Sequence, residues 1–194
     1  MDKLSYALGL SVAGSLIGSG VKEMNFEKFN KGLRDAMEGK MPEISSEEAR
    51  QVLNDFFESV QQKASEMNKK AGEDFLNENA KRDEVNVLPS GLQYEVIADG
   101  EGNKPSAGDS VKCHYHGTLI DGTVFDSSVQ RGEPATFGVN QVIKGWVEAL
   151  QLMTEGSKWK LYVPSELAYG SQGAGQVIGP DTALVFEVEL LEIV

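Results

Sequence analysis

The spacing of apolar residues changes character once along the chain. Over the first eighty-odd positions it is helical: Leu4, Leu8, Val12 and Leu16 form an i, i+4 row. Phe26, Phe29, Leu33 and Met37 repeat the pattern behind Asn25, an N-cap residue, and Gly39 supplies a stop. A third helix opens at Ser45-Ser46-Glu47-Glu48, where Ser45 and Glu48 have capping-box spacing, and no proline interrupts it before Pro89. Helical to Arg82, it would be roughly 55 Å long at 1.5 Å per residue. Apolar residues are dense in its first half (Ala49, Val52, Leu53, Phe56, Phe57, Val60) and sparse in its second (Ala64, Met67, Ala71, Phe75, Leu76). The first half is expected to be packed and the second to be a largely solvated arm.

From Ser90 the period becomes two. Leu92, Tyr94 and Val96, then Trp159, Leu161 and Val163, then Leu184, Phe186 and Val188, mark strands with one face inward. Asp121-Gly122, between Thr118-Leu119-Ile120 and Thr123-Val124-Phe125, predicts a two-residue hairpin. The one helical interruption is Val142 to Leu150, with Ile143, Trp146 and Leu150 on a shared face. Laid on a curved antiparallel sheet, it gives an α+β domain.

Composition narrows the function classes. Eighteen basic and thirty acidic residues leave a net charge of −12, which repels nucleic acid and anionic lipid. One cysteine allows no internal disulfide. MDKLSYALGLSVAGSLIGSG does not read as a signal peptide, and no run of about eighteen apolar residues follows to span a bilayer. The expected location is the cytoplasm, or the periplasm or outer membrane if a signal sequence has been removed. A helical half with so much apolar stripe and so little volume favours burial against a second copy; packing on its own second domain is the alternative.

Val111-Lys112-Cys113-His114-Tyr115-His116-Gly117 holds the only cysteine and both histidines. On a strand, Cys113 and Tyr115 face one way and His114 and His116 the other, so a Cys-His nucleophilic pair is denied. A metal site would need ligands beyond the two histidines, and the chain has no other His or Cys. Cys113 then reads as a small core hydrophobe. The glycine-rich Tyr169 to Pro180 leads into a strand without Gly-Lys-Ser/Thr, so it reads as a surface loop rather than a phosphate cradle. No Gly-x-Ser-x-Gly is present, and the aromatic and branched residues beside the turns are, by themselves, ordinary core.

Several long motifs nevertheless occur in one order: the strand VKCHYHG, GTVFDSS, PATFGVNQVIKGWVEALQLM, GSKWKLYVPSELAYG and TALVFEVELLEI. Together, over roughly residues 88 to 194, they resemble the FKBP-type peptidyl-prolyl isomerase domain. SYALGLSVAGSLI, DAMEGK and FLNENAK are similar to the N-terminal domain of the Mip-like bacterial subfamily. The resemblance implies three parts: a helical dimerisation domain over residues 1–60, a linker helix over 61–87 continuing from about 46, and an isomerase domain over 88–194. It implies a bent sheet around a short helix, with a prolyl pocket between them.

Carried over residue by residue, Trp146 is the pocket floor, and Tyr115, Phe125, Val142, Ile143 and Phe186 are its walls. Asp126 and Tyr169 form the polar edge, Arg131 orients Asp126, and the Ile143 N–H holds a substrate carbonyl. Tyr115, Phe125, Asp126, Tyr169 and Phe186 are the expected catalytic set; Phe137, Val177 and Ile178 join the substrate-binding residues. No cofactor or metal is implied. The implied partners are unfolded or nascent proline-containing proteins, a second copy of the chain, and rapamycin or tacrolimus. A non-catalytic chaperone or prolyl-peptide binding module is the competing reading. Lys144 stands where most relatives have proline, and Ala135 and Ala174 where some have Phe and His, which opens the pocket rim.

Overall fold

A computed structural model describes residues 2–194. The chain divides into two compact units, one reaching to Lys63 and the other Ala64–Val194. The first holds α1 (Lys3–Gly18), α2 (Phe26–Met37) and the start of α3 (Ser46–Asn79). Asp2 caps α1 by accepting from the Leu4 and Ser5 N–H groups, and Asn25 caps α2 by accepting from Lys28 N–H at 3.0 Å. Ser45 Oγ accepts from Glu48 N–H at 3.1 Å, as the capping-box spacing requires. Neither α1 nor α2 buries a single residue within this one chain. Leu4, Leu8, Leu33, Phe56 and Phe57 all face solvent, with Phe26 71% and Met37 80% exposed.

The second unit is an antiparallel sheet: β1 (Asn86–Val87), β2 (Gln93–Ala98), β3 (Ser110–Leu119), β4 (Val124–Ser127), β5 (Ala135–Gly138), β6 (Lys158–Val163) and β7 (Leu184–Ile193). The strand order is β1-β2-β6-β7-β3-β4, with β5 also paired to β3. One turn of helix, α4 (Ser128–Arg131), follows β4, and α5 (Lys144–Leu150) lies against the inner face. Alternation decides what lies inside. Val111, Cys113 and Tyr115 of β3, Trp159, Leu161 and Val163 of β6, and Leu184, Phe186, Val188 and Leu190 of β7 share a core with Trp146, Ala149 and Leu150 of α5. The expected strands and the short helix are all present, giving the α+β class.

Two expectations need correction. The β3–β4 connection is a three-residue loop rather than a two-residue one. Gly122 N–H donates to Leu119 C=O at 3.0 Å, and Leu119 N–H to Thr123 C=O at 2.9 Å. Gly122 has φ +87°, the left-handed residue that closes such a turn, and Asp121 Oδ1 accepts from Thr123 N–H.

The second half of α3 is also not a solvated arm. A stripe of Ser65, Asn68, Gly72, Phe75, Leu76 and Asn79, at spacings of three and four, is partly or fully buried. Asn79 Nδ2 donates to Gln93 Oε1 at 2.9 Å, Gln93 Nε2 donates to Leu76 C=O at 2.9 Å, and Phe75 meets Tyr162 at 6.0 Å between ring centroids. Arg82, just past the helix, donates to Tyr162 Oη at 2.9 Å and to Glu95 Oε2 at 3.0 Å. Apart from Phe75 and Leu76 the stripe consists of small and amide side chains, which leave too sparse a hydrophobic period to read.

Candidate active site

Between the inner face of the sheet and the start of α5 lies a cavity of about 470 Å³ lined by Tyr115, Phe125, Asp126, Phe137, Gln141, Val142, Ile143, Trp146, Tyr169 and Phe186. Its floor is the Trp146 ring, which meets Tyr115 edge-on at 5.5 Å, Phe137 at 5.7 Å and Phe186 at 5.3 Å; Phe125 meets Phe186 at 5.5 Å. Interplanar angles of 81–83° place ring edges against ring faces, the arrangement the aromatic quadrupole favours. The walls are therefore mutually locked. Trp146 reaches the floor because α5 starts at Lys144 with Ile143 as its N-cap in extended geometry (φ −60°, ψ 151°). The Ile143 N–H makes no hydrogen bond among the described residues, which leaves a donor at the cavity wall.

The polar edge is a closed triad. Tyr115 Oη donates to Asp126 Oδ2, Arg131 Nη1 donates to Asp126 Oδ1, and Arg131 Nη2 donates to Tyr115 Oη at 2.9 Å. The Arg131 guanidinium also lies 5.6 Å from the centroid of the Tyr115 ring. Burial pushes the Asp126 carboxyl upward, but the bonds from Tyr115 and Arg131 outweigh it and hold the group below its ordinary value. Tyr115 is pushed up, first by burial and then by its bond to Asp126. Asp126 is thus an ionised acceptor whose oxygens are engaged, not a base awaiting a proton.

The sign of the pH dependence follows. A carboxyl depressed in the folded state keeps its bonds above the unfolded value of about 3.9 and loses them only as pH falls through the folded value. Turnover is expected to be flat from about pH 8 to pH 5 as far as Asp126 is concerned. Asp126→Asn, which keeps the shape and loses the charge, is expected to lower kcat/KM about tenfold, equivalent to about 1.4 kcal/mol of transition-state stabilisation. A pH profile of kcat/KM for both proteins checks both statements.

The remaining sequence candidates fall in different places. Arg131 is outside the cavity lining and acts on it through Asp126 and Tyr115. Ile178 is buried in the core and Val177, 46% exposed, lies on the loop surface; neither lines the cavity. Gln141, which is not among the expected site residues, does line it. Its place two residues before Ile143 was the available signal. Cys113 is fully buried, and burial pushes its thiol up to about 12, so it is no nucleophile. His114 Nδ1 lies 3.1 Å from Ser128 Oγ, and His116 Nδ1 lies 2.9 Å from Ser127 Oγ, on the side of β3 away from Cys113. The two histidines help hold the β3–β4 edge; Ser128 Oγ also accepts from Tyr115 N–H at 2.7 Å and so fixes the strand carrying Tyr115.

The site is thus an apolar, aromatic-walled cavity on an antiparallel sheet, with a hydrogen-bonded carboxylate at its edge. Residues 101–191 match the family described as FKBP-type peptidyl-prolyl cis-trans isomerase, and residues 1–96 match the domain amino terminal to it. The chain is 50% identical over 192 residues to the FKBP-type 22 kDa peptidyl-prolyl cis-trans isomerase of Escherichia coli, covering 97% of this chain and 93% of that one. It is 44% identical to the outer membrane protein MIP of Legionella longbeachae, covering 99% and 85%. The crystal structure of FkpA from Escherichia coli superposes with a TM-score of 0.77 at 36% identity, over 98% of this chain and 95% of that one.

The chain belongs to the FKBP-type peptidyl-prolyl cis-trans isomerases. Its amino-terminal match, with full-length likeness to relatives named Mip and FkpA, puts it in the Mip-like bacterial branch. No helix among the described residues is long and apolar enough to cross a membrane. One relative is named an outer membrane protein, and nothing in the comparisons supports the cytoplasmic expectation.

Proposed function

We propose that the cavity accelerates rotation about Xaa-Pro bonds in unfolded and partly folded proteins, with the prolyl ring on Trp146 and the substrate carbonyl on the Ile143 N–H. The observation carrying this reading is the combination of an aromatic-walled cavity and a carboxylate already saturated by Tyr115 and Arg131. Such a site offers no unengaged carboxylate to a bond-breaking step, and none is needed. Prolyl rotation breaks no σ bond; it requires loss of amide resonance and otherwise takes tens to hundreds of seconds. Ten-thousand-fold acceleration corresponds to about 5.5 kcal/mol. A planar amide separates charge between nitrogen and oxygen more than a twisted one does, so apolar walls disfavour the ground state relative to the twisted form. Tyr169, 40% exposed on the rim, and the Ile143 N–H supply donors that fix the twisted peptide.

The helical unit serves a second role in this reading. A unit that buries none of α1 or α2 within one chain has no core of its own, and a second copy gives its apolar faces somewhere to go. Two catalytic units then share one client, and the assembly acts as a chaperone as well as an isomerase.

Residues 45–194, which lose α1 and α2 but keep α3 whole, are expected to isomerise a short Xaa-Pro peptide at the rate of the full chain, yet to fall at least about tenfold behind it in refolding a proline-limited protein. Sedimentation should show a dimer for the full chain and a monomer for the fragment. Equal performance on both substrates would remove the client-holding role.

A further inference from the structure

We propose that Ser65 and Asn68, on α3, are positioning residues for the isomerase site, setting the Tyr169 rim through Pro180 and Asp181. The inference rests on Tyr169 acting at the prolyl cavity. Ser65 and Asn68 lie three positions apart and so project from one face of α3. Ser65 Oγ donates to Asp181 Oδ2 at 2.5 Å, and Asn68 Nδ2 donates to Pro180 C=O at 2.8 Å. Asp181 N–H in turn donates to the carbonyl of Gly170, the residue after Tyr169, at 2.9 Å. The route from helix to rim is therefore two side-chain bonds, one peptide unit and one backbone bond.

Asp181 is the place in this chain where such a clamp has something to hold. It is the only non-glycine residue with positive φ among the described residues, at +51°. L residues other than glycine adopt that conformation when their surroundings impose it, with Asp and Asn more tolerant than the rest. Here the imposing groups are Ser65 on one side and Gly170 on the other. The loop is tied from within as well: Ala174 and Ile178 exchange backbone bonds of 2.8 and 3.2 Å, and Ile178 sits in the core. That inner tie fixes residues 174–178. The carbonyl of Gly170, next to Tyr169, accepts from Gly173 N–H at 3.3 Å and, more closely, from Asp181 N–H at 2.9 Å.

The segment from Gly170 to Asp181 thus has an anchor in its own sheet and an anchor on α3. Because α3 is continuous from Ser46 to Asn79, the helix that leaves the helical unit is the same element that grips the catalytic rim. Bending or tilting α3 near Ser65 then changes Tyr169, which gives a physical link between helix geometry and turnover.

The test uses the full chain and a short Xaa-Pro peptide followed by exchange NMR. S65A/N68A is expected to lower kcat/KM about three- to tenfold and to speed amide exchange at Asp181 at least about tenfold, with sheet amides unchanged. Ser65→Thr, which keeps the hydroxyl, restores most of the rate, and Met67→Ala on the exposed side of the helix leaves it unaltered. In a Tyr169→Ala background the S65A/N68A pair is expected to change kcat/KM by less than about twofold, because the two perturbations share one route. An equal loss in both backgrounds overturns the inference, as does S65A/N68A turnover and Asp181 exchange matching the parent while Tyr169→Ala is impaired. If Tyr169→Ala itself turns over normally, the assignment of Tyr169 to the site fails and takes the inference with it.

Discussion

Gly117→Ala is expected to lower kcat/KM about 100-fold while the sheet stays folded, the largest loss of activity from adding a single methyl group. Gly117 lies on β3 opposite Phe186 on β7, two residues beyond the pair that carries Tyr115 and on the same face of the strand. A Cβ there would sit 2.6 Å from Phe125 Cζ, 2.7 Å from Phe125 Cε2 and 3.0 Å from Phe186 Cε1. These are closer than carbon atoms approach, so both rings must move. Phe125 is only partly buried and borders the cavity, so it yields into the space the prolyl ring needs. Displacing a wall by about 1 Å is enough for a loss of this order, whereas overpacking costs about 1–3 kcal/mol of stability. Peptide exchange and thermal unfolding of the same sample separate the two effects. An unchanged rate would mean that Phe125 does not form the wall used in catalysis.

Phe186→Ala is expected to produce the largest loss of stability, about 3–5 kcal/mol. Phe186 is 4% exposed, lies between Gly117 of β3 and Leu161 of β6, and meets both Phe125 and Trp146 edge-on. Removing it opens a void between the central strands and unlocks the cavity floor. Against the 5–15 kcal/mol typical of a domain, such a loss leaves a marginal fold. Urea unfolding followed by tryptophan fluorescence should show a lowered midpoint with the slope unchanged. Phe186→Leu, which keeps most of the volume, is expected to retain more than half of the lost stability.

What could be read from the residues, and what could not, divides along physical lines. The strands β2, β6 and β7 were legible because each buries one face, and a half-buried strand must alternate. The helix carrying Trp146 was legible because Ile143, Trp146 and Leu150 keep a helical period inside a strand-rich region. The cavity itself was not: aromatic residues by themselves do not distinguish a wall from a core, and the nine candidates that line it together emerged from the ordered resemblance. Ile178 is outside the cavity lining and packs in the same core cluster as Tyr115, Trp146 and Phe186.

The docking of α3 failed to show for a different reason. Its contact stripe runs through Ser65, Asn68 and Asn79, which hydrogen-bond, and Gly72, which lets the helix approach Ala183 closely, so the apolar count said arm where hydrogen bonds said contact. The hairpin error came from reading Asp-Gly as its two central residues, whereas Ile120 and Asp121 occupy the centre and Gly122 closes the loop.

In the proposed function this cavity rotates prolyl bonds by shape and placed donors alone. This is tested most directly by NMR exchange of a short Xaa-Pro peptide with the full chain, with and without rapamycin or tacrolimus. Accelerated cis/trans exchange that the ligand abolishes is the expected result. No acceleration by a folded sample would contradict it and leave a prolyl-peptide binding module; acceleration that persists with the ligand bound in the cavity would place the chemistry somewhere else.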